Sequence, residues 1–247
     1  MDLGIAGRRA LVAASSSGLG RAAARALAEA GCSVVISGRN SDKLDEASAE
    51  IPGSVPVVAD VSTPEGATTL VDEAIAVLGG VDILVTNAGG PEAGRFADVS
   101  LEQYPAAIDL NLMSVVSMCK AAVPSMQERG WGRVVAITSI SVRQPIGQLI
   151  LSNTARAGAT AFLKTMALDV SRDGVTVNSV QPGYHATPRL EHVYGEGLDA
   201  LADELPTNSI GDPGDFGRVC AFLCSDSAKF ITGAAIPVDG GAYGGLQ

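Results

Sequence analysis

Short apolar runs alternate with longer amphipathic stretches along the whole chain. The apolar runs are ALVAA (10–14), SVVIS (33–37), VPVVAD (55–60), VDILVTNA (81–88), RVVAITS (133–139), VTVNSVQP (175–182) and AAIPVDG (234–240). They are rich in Val and Ile with little polar alternation, the pattern of strands covered on both faces. The stretches between them carry helix boundaries. TPEGATTLVDEAIAVLGG offers Thr63 as N-cap, Pro64 at the first helical position and Gly79 as the stop. SLEQ (100–103) is a capping-box pattern, and DPGDF (212–216) places Asp212 as cap, Pro213 next and Asp215 near the positive helix end. Strand–helix repetition predicts right-handed crossovers and an α/β, doubly wound parallel sheet of about seven strands with helices on both faces. No internal repeat or low-complexity linker interrupts it, so residues 1–247 read as a single domain. Residues 184–211, rich in Gly, Pro, His and acids, depart from the pattern, and so long a connection predicts a substrate lid.

Charge narrows the partners. With 17 Lys+Arg against 27 Asp+Glu, the net charge of -10 repels phosphate backbones and anionic lipid, so neither nucleic acid nor membrane is expected. The N-terminus has no basic segment ahead of an apolar core and cleavage site, and no uncharged apolar run approaches a membrane span, which predicts a cytoplasmic protein. The four cysteines fit reduced core residues better than a disulfide framework. Cys220 and Cys224 are four apart on an expected helix, yet His185 and His192 lie in another segment and no second Cys pair completes a tetrahedral set. No metal site is expected.

The first apolar run leads into AASSSGLGRAAARALAEAG. Small residues here let the backbone turn sharply against a ligand. Gly18 and Gly20 remove side chains where helix and pyrophosphate must meet, and the helix N-terminus supplies amide donors and a positive dipole. A Gly-x-Gly alone is weak evidence, but this one follows the first strand and opens the first helix, the context a dinucleotide site requires. The second strand ends SGRN, with Gly38 where an acid would accept from a ribose 2′-hydroxyl and Arg39 beside it to grip a 2′-phosphate. That end favours NADP(H) over NAD(H).

These motifs make the chain resemble the short-chain dehydrogenase/reductase family, which has a Rossmann fold, over nearly its whole length. The family's TGxxxGxG appears as AASSSGLG, its Asp-Val as Asp60-Val61, its NAG as Asn87-Ala88-Gly89, and its helix Asn as Asn111 in DLNL. Its Pro-Gly is Pro182-Gly183, and its C-terminal motif is ITGAAIPVDGG. Within the family the chain is most similar to β-ketoacyl-carrier-protein-reductase-like members. The resemblance implies a cofactor cradle of Ala14, Ser16, Ser17, Gly18, Leu19 and Gly20, with Arg39 and Asn40 at the second strand's end. It further implies Asp60 and Val61 at the adenine, Asn87 to Gly89 along the adenine ribose, and Pro182-Gly183 behind the nicotinamide. Ala14 stands where the family has a glycine, and its methyl suits an extended backbone better than a turn with φ > 0. A slightly altered loop that still binds is expected.

The family's catalytic set is Asn, Ser, Tyr and Lys. The first two match Asn111 and Ser139, while the Tyr and Lys positions fall without a gap on Ser152 and Arg156 of SNTAR. The downstream register RAGATAFLKTMA makes Lys164 the later structural lysine. Spacing of four keeps Ser152 and Arg156 on one helix face, but an aliphatic hydroxyl is a far weaker acid than a phenol, and an arginine stays protonated. Arg156 can still serve the cofactor. Tyr184 and His185, next to Pro182-Gly183, are substitute proton donors, with packing on the cofactor and plain loop exposure as their alternatives, and Glu191, His192 and Tyr194 lie farther along the lid. A water relayed by Ser139 or Ser152 is another. Three functions follow: an NADP(H)-dependent oxidoreductase on a carbonyl or alcohol, a redox-inactive nucleotide-binding or partner subunit, and a non-redox enzyme using the same pocket. The resemblance also implies a homotetramer, and PAAIDLNLMSVVSMCKAAVPSM and AGATAFLKTMALDV carry more apolar surface than one buried face needs.

Overall fold

The computed structural model describes residues 2–246, with the side chains of 196, 198 and 199 outside the description. Met1 and Gln247 of the expected 1–247 domain therefore lie outside the described residues. Seven parallel strands form one sheet: β1 (Arg9–Val12), β2 (Ser33–Gly38), β3 (Val55–Val58), β4 (Ile83–Thr86), β5 (Gly132–Ile137), β6 (Val175–Pro182) and β7 (Ala235–Val238). Their order is β3-β2-β1-β4-β5-β6-β7, so the chain builds outward from β1 to one edge, returns, and builds to the other. Each strand sends alternate residues to opposite layers. Leu11, Val35, Leu84 and Val134 pack under α3 (Pro64–Leu78), α5 (Ser114–Glu128) and α6 (Ile150–Val170). Val12, Ile36, Ile83 and Val135 pack under α1 (Gly18–Glu29), α2 (Ser41–Glu50) and α9 (Pro213–Leu223). Both faces are apolar because both are covered, and this is why the interior strands lack polar alternation. The four cysteines are free and buried, and in Cys119 and Cys220 burial pushes the thiol up to about 12.

The edge strands differ from the expectation of two covered faces. Val58 of β3 is 59 % exposed, and β7 is only half-buried throughout. Each holds a proline, Pro56 and Pro237, which removes a ladder donor and suits an edge. Helix ends follow the sequence signals in most places. Thr63 accepts from Gly66 N–H at 3.1 Å, Gly79 stops α3 at φ 75°, and Asp212 accepts from Asp215 N–H at 3.1 Å. The SLEQ box is half made: Gln103 accepts from Ser100 N–H at 2.9 Å, while α4 (Gln103–Ile108) begins only at Gln103.

Residues 184–211 are more ordered than a loop. Thr187 accepts from Leu190 N–H and Pro188 follows, starting α7 (Pro188–Tyr194), and α8 (Leu198–Asp203) comes after a short 3-10 turn. Between α4 and α5 the chain makes a π-turn over Asp109–Met113, so Gln103–Glu128 is one continuous helix. By length and composition it could cross a membrane. Here Met118, Cys119, Ala122, Val123 and Met126 are buried against the sheet, as in the core helix of a soluble protein.

Opposite the strands' C-terminal ends, Asp82 ties three elements together. Its carboxylate accepts from Arg9 Nε at 2.8 Å and Nη2 at 2.6 Å, and Arg129 approaches to 3.4 Å. Burial alone would raise its pKa, but the hydrogen bonds from Arg9 and the charge of Arg129 outweigh that and hold it below the usual carboxylate value. Folding is therefore favoured above the ordinary value of about 3.9, and the contribution is lost as pH falls through the lowered one. Asp82→Asn should cost about 1–3 kcal/mol near neutral pH, as loss of charged hydrogen bonds to a buried carboxylate from a part-exposed arginine does. Urea unfolding of both proteins checks this: the gap should hold down to about pH 4 and narrow below it.

Candidate active site

A cleft of about 1060 Å³ runs along the C-terminal ends of the strands and divides by chemistry into three parts. The first lies between β1 and α1. Ala14 adopts φ 47°, so the extended backbone expected from its methyl does not form. Its neighbours hold the turn. Ala14 N–H donates to Ser37 Oγ at 3.1 Å, Ala14 O accepts from Asn87 Nδ2 at 3.0 Å, and Ser15 Oγ bonds Val12 O and Ser37 N–H. A non-glycine residue there costs about 1–2 kcal/mol, and these buried bonds offset it. Gly20 lies beneath the cradle and does not line it. A Cβ on Gly20 would come to 2.6 Å from Ala14 O and 2.7 Å from Asn87 Nδ2, so only hydrogen lets α1 approach the turn.

Ser16, Ser17, Gly18 and Leu19 line the cleft at the start of α1. Ser17 is its N-cap but makes no side-chain capping bond, and no acid sits in the first turn. By contrast α2, α3, α7 and α9 are capped by the side chains of Asn40, Thr63, Thr187 and Asp212. Uncapped amides at a positive helix end are what a pyrophosphate uses.

The second part is the end of β2. A Cβ at Gly38 would stand 2.9 Å from Ser16 Oγ, so Ser16 fills the place of a larger side chain. Arg39 is exposed beside it, with no carboxylate within 4 Å among the described residues. Asn40 is turned away from the cleft and accepts from Lys43 N–H at 2.9 Å. Asp60, exposed, accepts from Ser62 N–H, and it lines the same end with Val61. Asn87, Ala88 and Gly89 form the floor.

At the third part, over β5 and β6, Ser152 and Arg156 of SNTAR face the floor. Arg156 Nε donates to Ser152 Oγ at 3.2 Å, Nη1 donates to Ile137 O and Thr138 O at 3.1 and 3.2 Å, and Nη2 to Ala88 O at 3.5 Å. Burial first, then the charge of Arg189, pushes its pKa down to about 10, still a cation at neutral pH. Ser139 Oγ accepts from Ser141 N–H at 3.1 Å, leaving its own hydrogen for a ligand. Asn111, on the π-turn, lies behind the wall: Nδ2 donates to Gly89 O at 2.8 Å, and buried Oδ1 has no partner among the described residues.

Gly183 N–H donates to Val238 O at 3.0 Å, and Gly183 packs so closely on Asp239 that a Cβ would lie 2.7 Å from its Cα. Pro182 and Gly183 line the cleft there, followed by Tyr184 and His185. His185 is 5 % exposed, edge-on to Phe216 with centroids 5.1 Å apart, and burial lowers its pKa. It is a core histidine, unlike the exposed loop residue weighed for it from sequence, while His192 is exposed. The ring of Tyr184 meets Tyr194 edge-on at 5.5 Å, and burial, then hydrogen bonding with Tyr184, raise the pKa of Tyr194. Among the lining residues that carried no expectation are Thr187, whose methyl faces Gly18, and Arg189. The Thr-Pro pair at 187–188 repeats the start signal of 63–64 and marks that helix.

A parallel sheet with a glycine-bearing cradle at its reversal defines a dinucleotide-binding α/β protein. The sequence profile described as enoyl-(acyl carrier protein) reductase matches residues 13–243. The chain is 34 % identical over 244 residues to dehydrogenase/reductase SDR family member 4 of Homo sapiens, covering 96 % of this chain and 88 % of that protein. It is 33 % identical over 245 residues to acetoacetyl-CoA reductase of Cupriavidus necator, covering 96 % and 99 %. The crystal structure of L-sorbose reductase from Gluconobacter frateurii, complexed with NADPH and L-sorbose, superposes with a TM-score of 0.93 at 33 % identity, covering 100 % of both chains. The chain belongs to the short-chain dehydrogenase/reductase family of oxidoreductases.

Proposed function

We propose that this protein is an NADP(H)-dependent oxidoreductase acting on a carbonyl or alcohol, with residues 184–211 as its substrate lid. The acid-free end of β2 carries the cofactor reading, because Gly38 is filled by Ser16 and Arg39 has no ionic partner among the described residues. The uncapped α1 fits a pyrophosphate, and a similar protein, L-sorbose reductase, is complexed with NADPH. The cofactor supplies hydride exchange with a carbon, and the chain handles the oxygen and its proton. Ser139 and Ser152 hydrogen-bond that oxygen. Arg156 holds positive charge below it but passes no proton, since its donors are committed to carbonyls and its pKa remains far above neutral. The proton comes from Tyr184 or through water relayed by the two serines, so reduction is slow. The guanidinium locked in the acid/base position favours one second reading, a redox-silent nucleotide-binding subunit. NADPH consumption over a carbonyl panel separates the two. The subunit assembles as a homotetramer through apolar surface such as Leu168 on α6, 69 % exposed, and Phe230, 99 % exposed.

NADPH should bind more tightly than NADH, and Arg39→Ala should erase most of the difference; calorimetry giving equal affinities for the wild type would refute the preference. The double change Ser152→Tyr with Arg156→Lys should raise carbonyl reduction where either single change does little. A positioned general acid is worth roughly 10²–10⁴-fold, so the gain should exceed assay error. A wild type that reduces a good substrate rapidly, with an inert double mutant, would show that another donor works. Sedimentation at micromolar concentration should find four subunits, and a monomer alone would count against the assembly.

A further inference from the structure

Six arginines outside the cleft, Arg9, Arg21, Arg25, Arg129, Arg133 and Arg218, each lie within 4 Å of a carboxylate. Arg156 and Arg189 have none among the described residues, as is also true of Arg8, Arg95 and Arg172 outside the cleft, but these two line its reacting end. Arg189 sits on lid helix α7 and reaches across the cleft, where one Nη2 donates to Pro91 O at 3.0 Å. Gly90 makes that crossing possible, because a Cβ there would come to 2.8 Å from Nη2. The remaining donors of Arg189 have no acceptor among the described residues. Its charge is felt at Arg156, whose hold on its own proton it weakens.

Three acids line the cleft, and none lies within 4 Å of Arg156 or Arg189 among the described residues. Asp60 lies at the far end beyond β3 and accepts from Ser62 N–H. Glu92 accepts from Gln103 Nε2 at 3.1 Å, and Glu102, fully exposed at the rim, bonds Ser100. Two like charges facing one space repel, and water screens the repulsion only in part because Arg156 is recessed while Arg189 is exposed. A ligand anion between them removes that cost and gains charge-assisted bonds from a planar fork.

We infer that the substrate carries a carboxylate, held by Arg189 of the lid and by the charge of Arg156, so that this site takes a small oxo acid or its hydroxy acid. The assignment deepens the oxidoreductase reading and rests on it for turnover, but binding alone can decide it. Arg189 is then a specificity residue that also draws the lid over the bound acid.

The test is calorimetry on the full chain saturated with NADPH, titrated with oxamate, ethyl oxamate and inorganic phosphate, for wild type, Arg189→Ala and Arg189→Lys. Oxamate should bind at least about tenfold more tightly than its neutral ester, as a hydrogen-bonded charge requires. Arg189→Ala should remove that advantage and leave the ester and NADPH affinities unchanged, with Arg189→Lys intermediate. Equal affinity of oxamate and ester in the wild type would overturn the inference. Weaker NADPH binding by Arg189→Ala would assign Arg189 to the cofactor, and phosphate binding with equal dependence on Arg189 would replace the carboxylate; either result overturns it. Absence of NADPH oxidation with every carbonyl would remove the oxidoreductase reading and leave these binding results standing.

Discussion

The hydrogen bond from Asn87 Nδ2 to Ala14 O spans the one place where the sheet reverses its direction of growth. β1 and β4 are neighbours, yet the crossover from β1 leads to β2 on one side and that from β4 to β5 on the other. With right-handed crossovers the two sets of helices diverge, and a crevice opens over the strand ends. Asn87 and Ala14 come from the turns that leave those two strands, so their bond fixes the crevice walls at one separation. Gly20 lies under the same pair, which couples the position of α1 to it. The cradle, the floor at Ala88 and Gly89, and the anchoring of Arg156 on Ala88 O all take their positions from this junction.

That dependence explains the conformation of Ala14. Its side chain prefers an extended backbone, but an extended residue would aim its carbonyl away from Asn87 and its amide away from Ser37. The turn satisfies both, and a buried polar group left without a partner costs about as much as the left-handed backbone does. Local preference therefore yields to the demands of two other strands. Neither Ser15 nor Ser37 is conspicuous in sequence, and their bonds to this turn span 22 residues.

Sequence was informative where a local rule acts alone. The interior strands, the Thr63 and Asp212 caps and the Gly79 stop are set by composition within a few residues, and they appear where those residues predict them. Edges were not legible, because exposure of Val58 depends on which strands lack a neighbour. Nor were α8 or the π-turn at Asn111, and of α7 only the Thr187-Pro188 start signal was. Helices of 7 and 6 residues show too little periodicity to register, and a π-turn is one residue of slack whose place is chosen by packing. In the cleft the residue types were legible and their partners were not. Asn40 looks like a cofactor ligand next to Arg39 until its side chain is seen to cap α2, and His185 looks like a loop residue until Phe216 covers it.

The distribution of charge completes the picture. In a chain of net charge -10, six arginines outside the cleft meet carboxylates, though Arg8, Arg95 and Arg172 meet none among the described residues. Arg39, Arg156 and Arg189 meet none among the described residues, and they stand at the two ends of one concave space. A recessed cation held by carbonyl dipoles and one hydroxyl is costly, as the lowered pKa of Arg156 records. Replacing lysine by arginine at such a place changes what the cost achieves. A lysine there could yield or share a proton within a hydroxyl network, whereas a guanidinium stays charged and spends its planar donors on fixed acceptors. Position 156 thus becomes a permanent source of positive potential under Ser152. The pocket is built to hold negative charge more than to move protons.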